Sequence, residues 1–184
     1  MTNLQYDGAY TFQVAAQNAA GASPLSALSN AVVPSLAYPA VAVSDRQYSL
    51  ANNNGSTWVD MDSAYLVVAV TPLVDSQALI SANADLWTAN AGINQDIGVA
   101  ISGGAYPTAA GQPEAWKESG GFAGTFSPNA AFAQAAVALP AAAQATITLA
   151  WKTNIAAPSA TIYGAAGSTA PFSPTRITAE LYGC

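Results

Sequence analysis

Apolar and polar residues alternate along several short segments of this chain. The segment 145–153, ATITLAWKT, places Ile147, Leu149 and Trp151 on one side and polar or small residues on the other. Such period-two alternation is typical of a β-strand with one buried face. The same spacing predicts strands over residues 10–18, 78–87, 95–102 and 176–182, with turn-forming runs such as NNNG, SGG and SPN along the chain. The pattern predicts an all-β fold, an antiparallel β-sandwich or jelly roll.

The segment 64–72, AYLVVAVTP, is apolar on both faces, as in a strand that is covered on both sides. One face is expected to fill the sandwich interior and consists of Leu66, Val68 and Val70. The other face is predicted to form an oligomer interface and consists of Tyr65, Val67 and Ala69. Contiguous apolar patches are uncommon on monomers, and three copies packed around an axis remove such a patch through a contact that closes into a ring. We therefore expect a homotrimer.

The alanine-rich segment 129–144, NAAFAQAAVALPAAAQ, fits two kinds of secondary structure. Alanine is the best helix former, and Phe132, Ala136 and Leu139 have helical spacing. The segments on both sides are predicted strands, however, and a strand agrees better with an all-β sandwich. We predict a strand here.

The first part of the chain resembles the last two strands of a fibronectin type III domain. The matching residues are Gly8, Tyr10, Phe12, Val14, Asn18, Gly21, Ser23, Ser29, Asn30, Val32 and Pro34. Leu4 and Tyr10 resemble the tyrosine corner of that family, in which the phenol hydroxyl binds upstream backbone. The earlier strands of the family have no counterpart here, and a segment this short does not close a two-sheet sandwich. This segment is therefore either an incomplete domain or one that packs against something else, the jelly roll or another chain.

Residues 45–182 resemble the trimeric jelly roll of the tumour necrosis factor and complement-head superfamily. The matching phrases are STWVDMDS, LVVAVTP, DSQALISANADLW, AISGG, TITLAWKTN, ATIYGA and SPTRITAELY, in this order. The segment is more closely similar to jelly-roll heads of phage tail fibres and bacterial surface proteins. The resemblance implies a trimer that binds a receptor or ligand or caps a fibre, and an extracellular, cell-surface or virion location. The expected organisation is a fibronectin-like segment over 1–34, a linker over 35–44 and a jelly roll over 45–184.

The composition argues against several classes of function. Histidine is absent, Cys184 is the only cysteine, and the chain has four Lys and Arg residues in 184. Triads, Cys–His pairs and imidazole-ligated metals therefore have no residues to form them. The formal net charge of −6 opposes binding to nucleic acid or to anionic lipid. No run approaches the ~20 apolar residues of a membrane span. We expect no enzyme activity, no metal and no cofactor.

Two pairs of carboxylates are the remaining candidates for chemistry. Asp60 and Asp62 share one face of a predicted strand start, but a calcium site needs more oxygen ligands than these two supply. Glu114 and Glu118 have the residue type of a glycosidase pair, but they lie four apart in a loop bounded by proline and glycine. Solvent-exposed carboxylates explain both pairs better.

A long loop over residues 105–129 carries aromatic side chains among glycines and prolines. They are Tyr106, Trp116, Phe122 and Phe126. Loops on a rigid sandwich commonly hold binding residues, and aromatic rings stack on sugars. We predict a ligand site for a glycan or cell-surface receptor here, although the sequence shows no polar cluster beside these rings. The alternative is that the rings cover a sheet edge or fill a subunit interface. The other tryptophans, Trp58, Trp87 and Trp151, are expected in the core.

These patterns and resemblances predict a non-catalytic binding or adhesion module. The expected form is a trimeric jelly-roll head that follows a fibronectin-like spacer, in a fibre or in a secreted multidomain protein. Two alternatives stay open. One is a monomeric carbohydrate-binding accessory domain of a secreted glycosidase, with the loop aromatics as its platform. The other is a purely structural unit that caps or oligomerises a fibre.

Overall fold

The computed structural model describes residues 9–32, 39–103, 112–120, 125–166 and 169–183. The chain divides into two compact units, Met1–Ala37 and Tyr38–Tyr182. The described residues contain β-strands and no helix. The strands are β1 (Gln17–Asn18), β2 (Gly21–Ala22), β3 (Ala40–Ser44), β4 (Tyr48–Ala51), β5 (Val59–Asp60), β6 (Val67–Val70), β7 (Ser76–Thr88), β8 (Gln95–Ser102), β9 (Ala115–Ser119), β10 (Asn129–Leu139), β11 (Ala145–Thr153), β12 (Thr161–Gly164) and β13 (Thr175–Gly183).

In the first unit, two extended segments pair through both backbone and serine side chains. They begin at the Tyr10–Val32 bridge and end in the short antiparallel hairpin of β1 and β2. Between these points, each serine donates its backbone N–H to a carbonyl oxygen, and its hydroxyl oxygen accepts the N–H of the same opposite residue. The pairs are Phe12–Ser29, Val14–Ser26 and Ala16–Ser23. From one pair to the next, the segment 12–16 advances by two residues and the segment 23–29 by three. The serine hydroxyl oxygens therefore accept hydrogen bonds that backbone carbonyl oxygens accept in a regular antiparallel ladder.

The predicted strand over 10–18 is therefore regular only at β1. Its alternation is present in the structure, but Val14 is 76% exposed within this unit, so the predicted half-buried face has little cover there. Leu4, the other residue of the suggested tyrosine corner, lies outside the described residues. The fibronectin resemblance of this segment stays a prediction.

The second unit is a sandwich of two antiparallel sheets. One sheet has the order β3-β13-β7-β12-β4, with β10 also paired to β7, and the other has the order β5-β11-β8-β9, with β6 also paired to β11. If the short strands β4, β5 and β12 are left aside, the orders are β3-β13-β7-β10 and β6-β11-β8-β9. Eight strands then remain. When they are counted from one to eight in chain order, the first sheet has the order 1-8-3-6 and the second has the order 2-7-4-5, which is the strand order of a jelly roll. The predicted all-β sandwich is confirmed.

The core lies between the two sheets and is filled by alternate residues of the long strands. Ile80, Leu86, Ile147, Leu149 and Trp151 are all at most 2% exposed. Burial of a large aliphatic side chain stabilises the fold by about 1.5–3 kcal/mol. Leu66, Val68 and Val70 are also buried, as their face of the 64–72 segment predicts. The predicted strands over 95–102 and 145–153 coincide with β8 and β11.

The alanine-rich segment is a strand over Asn129–Leu139, as predicted. It pairs with β7 from Ser76 to Leu86, and its inward residues are buried at every second position. These buried residues are Ala131, Ala133, Ala135, Val137 and Leu139. The helix propensity of alanine is a weak preference, and a full-length partner strand with a buried face overrides it.

The edge strand β3 uses residues that the sequence pattern assigns to a linker. Ala40–Ser44 pair with β13 in register, Ala40 opposite Ala179 and Ser44 opposite Thr175. Ala40 and Ala42 pack against the core, whereas Val41 and Val43 point outward and are exposed. The period-two alternation of AVAVS explains why this piece joins the sheet.

Candidate functional site

The predicted loop aromatics fall into two separate clusters. Tyr106 and Phe122 lie outside the described residues. Trp116 and Phe126 are 54% and 53% exposed, but they contact different sheets. The ring of Trp116, in β9, packs edge-to-face on Trp58 at a centroid distance of 6.2 Å. The ring of Phe126 packs edge-to-face at 5.0 Å on Trp87, which belongs to β7 of the other sheet.

The core prediction for the tryptophans is right for Trp151 and wrong for Trp58 and Trp87. Trp151 is 2% exposed, whereas the other two are only half-buried. Trp87 alternates with the buried residues Leu86 and Thr88, so it points away from the interior. Trp58 immediately precedes Val59, which pairs with Trp151, and this register places Trp58 on the outward side. A run of apolar residues does not reveal which of its two faces is inside.

We call the first group the Trp116 cluster: Trp58, Asp96, Trp116, Glu118 and Lys152. Strand register brings its charged residues together, because Lys152 pairs with Asp96 and Asp96 pairs with Glu118 across three neighbouring strands. All three residues therefore lie in one row on the outer face of the five-stranded sheet. These residues are far apart in the sequence, and periodicity alone does not predict their meeting.

Lys152 and Asp96 form an ion pair at the centre of this cluster. The distance from Lys152 Nζ to Asp96 Oδ2 is 2.5 Å. The same ammonium donates to the carbonyl oxygens of Gly55 and Thr153, each at 3.2 Å. An ammonium has three donors, and all three are used. Lys152 thus holds the surrounding structure in place and has no donor left for a ligand.

The environment of Asp96 disfavours its charged form. Burial raises the pKa of Asp96, the hydrogen bond and charge of Lys152 oppose that shift, and the negative charge of Glu118 adds to it. Asp96 is only 1% exposed, and its Oδ1 atom has no hydrogen-bond partner among the described residues. A buried ion pair of this kind contributes little net stability, but loss of one partner is destabilising.

The ammonium of Lys152 also fixes the two indole rings. Its Nζ atom lies 5.2 Å from the ring centroid of Trp58 and 5.9 Å from that of Trp116. Cation–π attraction operates at such distances, within about 6 Å of the ring centroid. The exposed ring of Trp116 is therefore held in place by an aromatic neighbour and a cation.

Polar groups stand beside Trp116, although the sequence shows no polar cluster there. Glu118 Oε1 accepts a hydrogen bond from the side-chain amide of Asn94 and a longer one, 3.4 Å, from that of Asn154. The side-chain oxygen of Asn154 in turn accepts the backbone N–H of Asn94 at 2.9 Å. These amides come from the loops that flank β8 and β11, so only the folded sheet assembles them.

The structure gives the members of the two carboxylate pairs different surroundings. Residues 115–119 are extended, so the Cα atoms of Glu114 and Glu118 are roughly 13 Å apart. Asp60 accepts from the hydroxyl of Thr148 at 2.9 Å. The part of the chain that the structure describes contains no group of three or more His, Cys, Asp or Glu arranged to hold a metal.

Asp62 has a local structural role. Its Oδ1 atom accepts the backbone N–H groups of Ala64 at 2.8 Å and Tyr65 at 2.9 Å. Burial acts to raise the pKa of Asp62, but the hydrogen bonds from Tyr65, Ala64 and Tyr48 outweigh it and lower the pKa. Asp62 thus fixes the turn that leads into β6.

The predicted interface face of the 64–72 segment lies on the outside of the sandwich. Tyr65 is half exposed, Val67 half-buried and Ala69 exposed. The guanidinium of Arg46 lies 3.8 Å from the centre of the Tyr65 ring. In the neighbouring strand, Val67 and Ala69 are flanked by threonines, so the apolar area here is small. Its role as an interface stays a prediction.

A larger uncharged surface lies on the other sheet. We call it the β10 face: the outward residues of β10, which are Ala130, Phe132, Gln134, Ala136 and Ala138, and those of the paired part of β7, which are Gln77, Leu79, Ser81, Asn83 and Asp85. Asp85 is the only charged residue in this set, at its end. Phe132, the next outward residue after Ala130, is 55% exposed. The sequence signal for this surface was the absence of charge at every second residue from 130 to 138.

A second aromatic group surrounds Phe126, Trp87 and Tyr163. Trp87 and Tyr163 pair in register on neighbouring strands, with ring centroids 5.8 Å apart. With Gln47 and Ala166 these residues line a pocket of about 230 Å³. The pocket is lined mostly by aromatic rings and contains no charged side chain among its lining residues.

Comparisons with known proteins place few limits on function. No protein-family model matches the chain, and no curated protein matches it. Among solved structures, the chain is similar to one from the structure of infectious bursal disease virus Gx strain, with a TM-score of 0.36 and 11% sequence identity. The match covers 84% of this chain and 40% of the viral chain, so this chain spans less than half of that protein.

No helix of membrane-spanning length and apolarity occurs in the described residues.

Proposed function

We propose that this chain is a non-catalytic binding or adhesion module whose jelly roll assembles as a trimer. In this proposal it forms the head of a fibre or of a secreted multidomain protein, at a cell surface or on a virion. The observation that carries the proposal is the β10 face, an outer sheet surface with one charge, Asp85, at its end and an exposed phenylalanine, Phe132, near that end. Interface cores are depleted in charge and enriched in aromatic residues.

The free edge of β10 supports the same proposal. Among the described residues β7 is the one ladder partner of β10, so no strand pairs with its other edge, although β9 of the other sheet lies close to it. Sheets that stay monomeric protect such edges with lysine, proline or a bulge. From Asn129 to Leu139 there is no charged residue and no proline. A second copy of this chain is the proposed occupant of that edge. In a closed ring, each subunit presents one surface to a different surface of the next subunit.

The net negative charge of the chain favours association through a surface with few charged residues, such as the β10 face. The formal net charge is −6, and like-charged copies repel one another unless they meet at a surface without charge. On the β10 face, Asp85 is the one charged residue. The Tyr65, Val67 and Ala69 face is the alternative contact surface, and the same experiment distinguishes the two.

The proposal is tested by the mass of the purified chain in solution, measured by light scattering over a range of concentrations. Phe132→Asp is expected to reduce the mass from three subunits to one, because a charge in a closed apolar contact is strongly unfavourable. Ser102→Asp is the matched control: it adds the same charge at an exposed outward position of the other sheet and should leave the trimer intact.

Other outcomes contradict the proposal or move the interface. A wild-type mass of one subunit at every concentration rules out the trimer and favours the monomeric accessory-domain alternative. If Val67→Asp dissociates the trimer and Phe132→Asp does not, the interface lies on β6. A trimer that binds no glycan or surface receptor would leave the purely structural, fibre-capping alternative.

A further inference from the structure

We infer that the Trp116 cluster is a carbohydrate-binding site, in which the exposed indole of Trp116 stacks on a neutral sugar ring. Glu118, Asn94 and Asn154 supply the hydrogen-bonding groups beside it. The site lies on the outer face of the five-stranded sheet, whereas the β10 face belongs to the six-stranded sheet. It goes beyond the proposed assembly by assigning a ligand class to a particular surface.

The first support is the combination of exposure and rigidity at Trp116. A large aromatic side chain that is 54% exposed on an edge strand leaves apolar area in water. Its ring is nevertheless fixed by Trp58 at 6.2 Å and by the ammonium of Lys152 at 5.9 Å. A ring that is already held in one orientation loses little conformational freedom on binding, which favours affinity. Aromatic rings offer broad apolar area for the C–H face of a sugar.

The second support is the polar row beside the ring. Trp116 and Glu118 are two residues apart in β9 and therefore point to the same side of the sheet. Glu118 uses its Oε1 atom for Asn94 and Asn154, while its Oε2 atom has no hydrogen-bond partner among the described residues. A carboxylate oxygen next to a stacking ring is a suitable acceptor for sugar hydroxyl groups.

The charges of the cluster select against other ligands. Lys152 has all its donors engaged, and two carboxylates surround it, so an anionic ligand would meet net negative charge. A quaternary ammonium ligand would compete with the ammonium of Lys152, which already lies over both indole rings. A neutral, hydroxyl-rich ring is compatible with both conditions. Because the site is open and has one stacking ring, a single site is expected to bind with a dissociation constant on the order of 1 mM.

The contact between Gly98 and Pro113 helps to position Trp116. Gly98 lies opposite Trp116 in the register, and a Cβ atom at Gly98 would come within 2.8 Å of Pro113 Cβ. The absence of a side chain at Gly98 lets residues 112–114 cross this strand. Glu114 then donates its backbone N–H to Val99 at 2.7 Å, which leads the chain into β9.

The test uses the full chain and a panel of soluble neutral oligosaccharides built from glucose, galactose, mannose or N-acetylglucosamine. Binding is followed by tryptophan fluorescence and by saturation-transfer NMR. At least one of these oligosaccharides is expected to bind wild type at millimolar concentration. Trp116→Ala should weaken that binding at least tenfold, and Phe126→Ala, which removes the exposed ring of the other aromatic cluster, should leave it unchanged.

Glu118→Gln provides a second variant that keeps the shape of the side chain and is compatible with folding. It should weaken binding severalfold without changing the circular dichroism spectrum. The inference is overturned if no oligosaccharide of the panel binds, if binding survives Trp116→Ala, or if only Phe126→Ala abolishes it. Binding of tetramethylammonium in place of sugars would also overturn it. A monomeric wild type that still binds sugar would refute the trimer and leave this site standing.

Discussion

Lys152 and Asp96 form a nearly buried ion pair, with 2.5 Å between Nζ and Oδ2 and side-chain exposures of 14% and 2%. The pair lies in neighbouring strands that are far apart in the sequence, and it sits beneath the two indole rings of Trp58 and Trp116. Burial destabilises the ionised form of Asp96, whereas the hydrogen bond and the positive charge of Lys152 stabilise it. The balance between these effects is measurable through its dependence on pH.

Asp96→Asn tests that balance. Because burial raises the pKa of Asp96 in the folded state, the group's contribution to stability is greatest below its usual pKa of 3.8 and is lost as the pH rises through the raised value. The free energy of unfolding of wild type, relative to that of Asp96→Asn, should therefore fall as the pH rises from below 3.8 towards neutrality. Urea unfolding at a series of pH values measures it. A difference that grows with pH would mean that the attraction of Lys152 outweighs burial.

Asp62→Ala should show the opposite dependence on pH. The pKa of Asp62 is lowered on balance, so its contribution to stability is present above the usual value of 3.8 and is lost as the pH falls through the lowered value. At neutral pH the variant should lose about 1 kcal/mol, since two backbone N–H groups lose their acceptor at an exposed turn. The same urea series decides the matter, and a loss that persists at low pH would mean that the side chain acts through packing.

Gly55→Ala should destabilise the fold far more than Gly92→Ala. Both glycines have positive φ angles, 77° and 79°, so both substitutions strain the backbone by about 1–2 kcal/mol. A Cβ at Gly55 would also come within 2.3 Å of the carbonyl carbon of Ile155, whereas nothing lies within 4 Å of a Cβ at Gly92. Thermal unfolding of the two variants separates the steric effect from the strain. Equal melting temperatures would show that the segment at Ile155 yields without cost.

Deletion of residues 1–36 should lower the melting temperature or the solubility of the chain. In the first unit, apolar side chains are left exposed, with Val14 at 76%, Leu28 at 64% and Leu25 at 63%. A paired segment of this size is marginal by itself in water and is expected to pack against a further β-structure or another chain. If the shortened chain keeps the melting temperature and mass of the full chain, the segment contributes nothing to the jelly roll.

Local alternation located β7, β8, β11 and β13 to within two residues at each end. β8 and β11 coincide with their predicted ranges, and the buried face of β6 is the predicted one. Short strands were harder to locate. The alternation of the five residues of β3 was assigned to a linker, and pairing with β13 shows that they form an edge strand.

The candidate site was predicted only in part. Trp116 and Phe126 were named as binding residues because they are aromatic and lie in a long loop, and both are exposed in the structure. Their grouping was not predictable, because Trp116 belongs to β9 and contacts Trp58, whereas Phe126 contacts Trp87 on the other sheet. The amides that accompany Glu118, those of Asn94 and Asn154, come from other parts of the chain.

The sequence by itself determined that this protein is built of strands, because period-two alternation is a property of neighbouring residues. It also determined that this chain has no imidazole and a single thiol, because it has no histidine and one cysteine. Only the tertiary structure decided which face of each strand is outside and which distant residues meet. Lys152 and Asp96 are 56 residues apart, and Phe132 and Asn83 are 49 apart. Such pairs form through strand register, which depends on how the whole sandwich packs.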